Sequence, residues 1–229
     1  MNDFPFAIVG FDLDGTLLDT LGDLAAAVNF ALDQAGRPAL TIDQIKPMVG
    51  GGAKNMLIKG IEATGGASDE EFRRVYRLLL DYYGENIAAD SHPFPGAIAT
   101  VDALRAMGVK VGIVTNKFEG LADKLLRALD LRDRFDCLIG GDTMGKGNAK
   151  PSPLPIQRMI ELCGGGAAAF VGDSIYDTMA ARNAGIPSVA VSFGFLTQPV
   201  AELGADAVID HYDELLPTLR RLGGSRALS

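Results

Sequence analysis

The sequence predicts an α/β fold: a doubly wound parallel sheet with a small all-helical unit inserted after its first strand. Three observations predict it. Apolar runs of strand length alternate with amphipathic stretches of helical period along most of the chain, the pattern of strands covered on both faces by crossover helices. One long interval after the first run carries helical signals alone. Polar residues gather where the strand runs end, the edge at which open parallel sheets bind ligands.

In order along the chain, strands are expected over 7–11, 109–114, 135–139, 168–171, 188–191 and 207–209, each bounded by Gly, Asp or Asn. Core helices are expected over 98–107, 121–129, 155–162 and 177–184, where apolar residues recur at helical spacing. Within the insertion, Leu21, Leu24, Val28 and Leu32 fall on one helical face that ends near Gly36. Met56, Leu57 and Ile61 mark a second helix, and Phe72, Val75, Tyr76, Leu79, Leu80 and Tyr83 a third. The stretch 91–96, with two prolines and a glycine, reads as the hinge back to the sheet. The chain then divides into an α/β core, 1–18 with 93–229, and a helical unit, 19–92. No internal repeat is found, and the tail 223–229 reads as frayed.

Composition excludes several function classes. Lys and Arg total 21 against 29 Asp and Glu, a net charge of −8, which opposes nucleic acid and anionic membrane surfaces as partners. A small anionic substrate remains compatible, provided the site builds a local positive field. The two cysteines, Cys137 and Cys163, form neither a disulfide framework nor a zinc spacing, which fits a reducing cytoplasm. The N-terminal stretch has an Asp and no Lys or Arg ahead of a short apolar run, unlike a signal peptide. No run approaches a membrane span.

The strand ends carry the chemistry. The first strand runs into Asp12-Leu-Asp-Gly-Thr16, and residues two apart in an extended chain face the same way, so Asp12 and Asp14 point into one crevice. The second ends in Thr115-Asn116-Lys117, and the fourth in Gly172-Asp173 with Asp177 four residues on. Lys150 precedes a helix whose start is marked by prolines. Each piece alone has a bland reading: an Asx turn at Asp12, a helix cap at Ser174 and Asp177, a solvated lysine at 150. Four such signals at strand ends, in one regular α/β pattern, are poorly explained by coincidence.

With these motifs, Asp12-Leu-Asp-Gly-Thr-Leu, Val114-Thr-Asn-Lys, Lys150-Pro and Val171-Gly-Asp-Ser-Ile-Tyr-Asp, the chain resembles the haloacid dehalogenase superfamily over essentially its whole length. The resemblance implies a Rossmann-like core with a helical cap inserted after strand one. Val49-Gly-Gly-Gly-Ala-Lys54, Ile139-Gly-Gly-Asp142 and the stretch 195–199 are similar to the phosphoglycolate phosphatases within it. What the resemblance implies for chemistry is a Mg²⁺-dependent phosphatase working through an aspartyl phosphate, most of all on 2-phosphoglycolate. Asp12 would attack phosphorus, and Asp14 would protonate the leaving alcohol and then activate water. Thr115 and the Asn116 amide would hold phosphate oxygens, with Thr16 also on the substrate side, and Lys150 would steady Asp12 and the phosphoryl group. Asp12, the Asp14 carbonyl, Asp173 and Asp177 would hold Mg²⁺.

Charge counting asks for a cation independently of the family. Four aspartates against Lys150, with an incoming phosphate dianion, would otherwise force protons onto carboxylates. The Gly50–Gly52 amides ahead of a helix, with Gly51 central and Lys54 beside them, suit a small carboxylate. Arg73, Arg74 and Arg77 read as a solvated face, and His92 and His211 as hinge or surface residues. Two further readings stand beside the first: a sugar-phosphate phosphatase or β-phosphoglucomutase-like enzyme, and an idle protein that binds a ligand in the same crevice. The expected partner is a small phosphorylated metabolite, and the expected assembly a monomer or homodimer.

Overall fold

Val9, Phe11, Val111, Ile113 and Val171 are buried on one face of a parallel sheet, and Ile8, Val114 and Phe170 on the other. Alternation of side chains along each strand puts them there. In the computed structural model, which describes residues 4–226, the sheet strands are β1 (Ile8–Phe11), β4 (Lys110–Val114), β5 (Cys137–Ile139), β6 (Ala168–Gly172), β7 (Ser188–Val191) and β8 (Ala207–Ile209). They pair in the order β5-β4-β1-β6-β7-β8, all parallel, with Val9 opposite Val111 and Ala169. The strand order reverses at β1, so the crevice between β1 and β6 at their carboxyl ends is the switch point where such sheets bind ligands.

Helices α5 (Ala97–Ala106), α6 (Glu119–Ala128) and α9 (Leu215–Arg226) cover one face; α7 (Leu154–Leu162) and α8 (Ile175–Asn183) cover the other. A side chain at Gly10 or Gly112 would strike the Met159 side chain, so these two glycines leave the room that lets α7 approach the central strands. The six predicted strands and four predicted core helices all form, with ends shifted by a residue or two. Two readings are corrected. Residues 223–226, expected to fray, belong to α9, whose Leu215 and Leu219 are buried against the sheet; residues 227–229 of that tail lie outside the described part. The interval expected to be wholly helical begins with a two-residue strand, β2 (Leu18–Asp19), which pairs antiparallel with β3 (His92–Pro93).

That ribbon is where the chain enters and leaves the insertion. The insertion comprises α1 (Leu21–Asp33), the short α2 (Ile42–Ile45), α3 (Gly52–Ala63) and α4 (Asp69–Glu85). Thr41 with Gln44 forms a capping box on α2, and Ser68 accepts from the Glu71 amide at the start of α4. Leu24, Val28, Leu57, Ile61, Val75 and Leu79 are buried between these helices, in a core continuous with one sheet face. Arg73, Arg74 and Arg77 are exposed, as are His92 and His211.

A second tie lies beside the ribbon. Asp23, buried on α1, accepts from the amides of Asp90 and Ser91 and from the Ser91 hydroxyl, so one carboxylate holds the outgoing helix to the returning segment. Asp23→Ala leaves three donors unpaired and is expected to cost about 2–4 kcal/mol, read as a lower urea midpoint at unchanged slope. The two cysteines, far apart in sequence, meet at Sγ···Sγ 3.7 Å as free thiols, Cys137 on β5 and Cys163 at the end of α7. No helix of the described residues is long and apolar enough to cross a membrane.

Candidate active site

Parallel pairing continues one residue past β1, where the Asp12 amide donates to the Val171 carbonyl. The chain then turns at Gly15, whose φ of +77° and closeness to Asp173 Oδ2 leave no room for a side chain. Asp12 thus stands at the switch point beside Asp173, which follows β6. The Asp12 carboxylate is differentiated: Oδ1 accepts from the Leu13 amide at 2.7 Å and pairs with Lys150 Nζ at 2.9 Å, whereas no described group donates to Oδ2.

Lys150, its side chain 1% exposed, also pairs with Asp177 Oδ1 at 2.6 Å. Asp177 plays the bland and the chemical part together. Its Oδ2 accepts from the Ser174 amide and hydroxyl, capping α8, while Oδ1 faces Lys150. Asp173 accepts from the Phe195 amide at 2.6 Å and from the Thr16 hydroxyl at 3.5 Å. Asp12, Asp173 and Asp177 offer carboxylate oxygens within 4.8 Å of one another, all buried.

Burial, offset by Lys150 and reinforced by Asp177, pushes Asp12 up to about 7. Burial, then Asp177 and Asp12, raises Asp173 well above the carboxylate range. Burial opposes the charge on Lys150, but the attraction of Asp12 and Asp177 outweighs it and its pKa rises. The protons expected on crowded carboxylates are therefore favoured, though burial and not mutual repulsion is the larger cause. An oxygen-only set of three buried carboxylates that binds protons for want of positive charge suits a hard divalent cation.

Asp12, Asp14, Thr115, Asn116, Lys150, Gly51 and Lys54 line one cavity of about 290 Å³ between the sheet edge and the insertion. The structure brings these predicted residues together, and the other three, Thr16, Asp173 and Asp177, are buried off the cavity wall. Thr16 is buried beneath the wall, its hydroxyl on Asp173 and its carbonyl accepting from Tyr212. Asp14 lines the cavity, yet its carboxylate stands apart from the three-carboxylate cluster. The Asn116 side chain reaches from the core to the insertion, donating to the Gly50 and Lys150 carbonyls, and α3 starts at Gly52, as expected of the glycine run. Lys54 is exposed at the mouth.

The residue missed by sequence reasoning is Lys117. Its Nζ lies 2.5 and 2.7 Å from the two Asp14 oxygens, and its side chain is only 5% exposed; Thr20 donates to the same carboxylate at 2.7 Å. Burial opposes the charge on Lys117, but the attraction of Asp14 outweighs it and holds the lysine charged. The charge count for the crevice therefore includes two lysines. The signal was present, since Thr115 and Lys117 are two apart at a strand end.

A family model for haloacid dehalogenase-like hydrolases matches residues 9–191. A phosphoglycolate phosphatase of Caulobacter vibrioides is 39% identical over 215 residues, covering 93% of this chain and 90% of that protein. One of Agrobacterium fabrum is 38% identical over 218 residues, covering 94% and 92%. A crystal structure from Haemophilus somnus, described as a predicted phosphoglycolate phosphatase, superposes with a TM-score of 0.87 at 30% identity, covering 93% of this chain and 98% of that one. The parallel sheet, the carboxylates at its switch point and these likenesses agree: the chain belongs to the haloacid dehalogenase-like hydrolase family.

Proposed function

We propose that this hydrolase is a Mg²⁺-dependent phosphatase that cleaves 2-phosphoglycolate to glycolate and phosphate through an aspartyl phosphate at Asp12. The observation that carries the reading is the pairing of Asp12 with Lys150 inside the carboxylate cluster, in a chain more than a third identical to phosphoglycolate phosphatases. Residues 1–18 with 93–229 form the catalytic core in this reading, and 19–92 a cap over the crevice. The enzyme works on a soluble metabolite in the cytoplasm.

A phosphate ester resists attack because its oxygens repel an anionic nucleophile. Lys150 offsets that charge beside Asp12, and Thr115 with the Asn116 amide cradles the phosphate oxygens. Asp12, Asp173 and Asp177, with the Asp14 carbonyl, would hold Mg²⁺, which when bound neutralises charge on the transferring oxygens. An Asp12 oxygen attacks phosphorus, the bond from phosphorus to the ester oxygen breaks, and that oxygen takes a proton from Asp14. Asp14 then accepts a proton from the water that cleaves the acyl phosphate, which releases phosphate and restores Asp12. Lys117 contacts both Asp14 oxygens and Thr20 donates to Oδ1 alone, so Oδ2 keeps a lone pair for the proton in either transfer.

Initial rates over a panel of phosphoglycolate, sugar phosphates, nucleotides and pyrophosphate test the reading. The expected outcome is a kcat/KM for phosphoglycolate at least about tenfold above the others. A flat profile, or a sugar phosphate ahead, overturns the substrate assignment, and isomerisation of a sugar phosphate without net release of phosphate overturns hydrolysis.

A further inference from the structure

Three lysines line the cavity: Lys54, Lys117 and Lys150. They are not equivalent. Lys150 pairs with Asp12, the nucleophile of the proposed reaction, and with Asp177. Lys54 is exposed and makes no described hydrogen bond, so water screens its charge. Lys117 is enclosed. Its Nζ sits 4.8 Å from the centre of the Tyr83 ring on α4, with Leu79, Phe118 and Leu121 also on the cavity wall. The Tyr83 hydroxyl is buried beside Lys117 and meets no hydrogen-bond partner of good geometry among the described residues.

We propose that Lys117 is the specificity-determining cation of this site, recognising a carboxylate carried by the leaving alcohol. The inference rests on the phosphatase reading above and adds to it the residue that selects the acid. The geometry is transitive. A proton donor must touch the ester oxygen it protonates, and Lys117 hydrogen-bonds both oxygens of that donor, Asp14. Whatever is attached to the ester oxygen therefore lies within reach of Lys117. In phosphoglycolate the carboxylate is two bonds beyond that oxygen. An ammonium carries three N–H donors; Asp14 takes two of them, and the third, on the side of Tyr83, is the one a ligand would claim. The low-polarity wall strengthens an ion pair made there relative to one made by Lys54 at the mouth.

The test compares kcat/KM for phosphoglycolate with that for ethyl phosphate, which keeps the ester and lacks the acid, in the wild type and in Lys117→Met, Lys117→Arg and Lys54→Met. Any damage done through Asp14 acts on both substrates and cancels in their ratio. The wild-type preference for phosphoglycolate is expected to fall about 10- to 100-fold in Lys117→Met and to survive largely in Lys117→Arg, with thermal melts showing both folded. An equal loss on both substrates in Lys117→Met overturns the proposal, and so does a collapse of the ratio in Lys54→Met alone. Should Lys117→Met fail to fold, Lys117→Arg decides, because a guanidinium that changed the rates but left no preference would refute recognition by charge. A wild type that cleaves neither ester, or both equally, refutes the phosphatase or phosphoglycolate reading before any variant is compared.

Discussion

Asp12→Asn is expected to lower kcat by on the order of 10⁴-fold or more while leaving the melting temperature unchanged or raised. The two halves of that result have separate causes. An amide cannot attack phosphorus to form an acyl phosphate, so the covalent route closes entirely. Stability moves the other way because the wild-type carboxylate is buried, and its pKa of about 7 records how poorly the fold tolerates its charge. Asparagine keeps the shape and an oxygen that can accept from the Leu13 amide. Lys150 keeps its 2.6 Å contact with Asp177 and is not stranded as an unpaired buried charge, the case that would cost most. Asp177→Asn is the contrast: it removes a Lys150 partner and disturbs the cap on α8, so its activity loss should come with a lower melting temperature. Rates with a generous excess of ester, beside thermal melts, separate the two. Turnover retained in Asp12→Asn would remove that residue as nucleophile.

The parts of this molecule legible in its sequence were those fixed by local periodicity and by position at strand ends. Strands buried on both faces leave uninterrupted apolar runs, so β1, β4 and β6 announced themselves, and with them the edge at which Asp12, Asp14, Thr115 and Asp173 collect. The misses share a physical origin in pairing between distant segments. The ribbon of Leu18–Asp19 with His92–Pro93 is two residues long and exists only because the ends of the insertion meet. The contact of Cys137 with Cys163 depends on α7 crossing β5. Lys117 stood in view, but only the fold shows that its charge turns back onto Asp14. The last helix was readable, since Leu215, Leu219 and Leu222 repeat at helical spacing; the glycines that follow hid it.

Removing the divalent cation is expected to abolish turnover and to reverse the dependence of stability on pH. Asp12 titrates near 7 in the folded chain against an ordinary 3.8, and Asp173 is raised as well. A group whose folded pKa lies above its unfolded one stabilises fully below the unfolded value, and that contribution is lost as pH rises through the folded value. In chelator, the protein should therefore grow less stable from about pH 4 to pH 7 as these carboxylates give up protons inside the fold, by on the order of a few kcal/mol. With Mg²⁺ in excess the same ionised carboxylates become ligands, and a ligand that binds only the folded chain stabilises it. The stabilisation by Mg²⁺ should accordingly be small at pH 5 and largest at pH 8. Thermal melts at both pH values, with and without Mg²⁺, read this directly, and initial rates in chelator read the chemistry. The Asp12→Asn variant sharpens the comparison, because without one ionised ligand its Mg²⁺-dependent shift at pH 8 should shrink. Equal pH profiles with and without Mg²⁺ would remove the carboxylate cluster as the cation site, and full turnover in excess chelator would remove the cation from the mechanism.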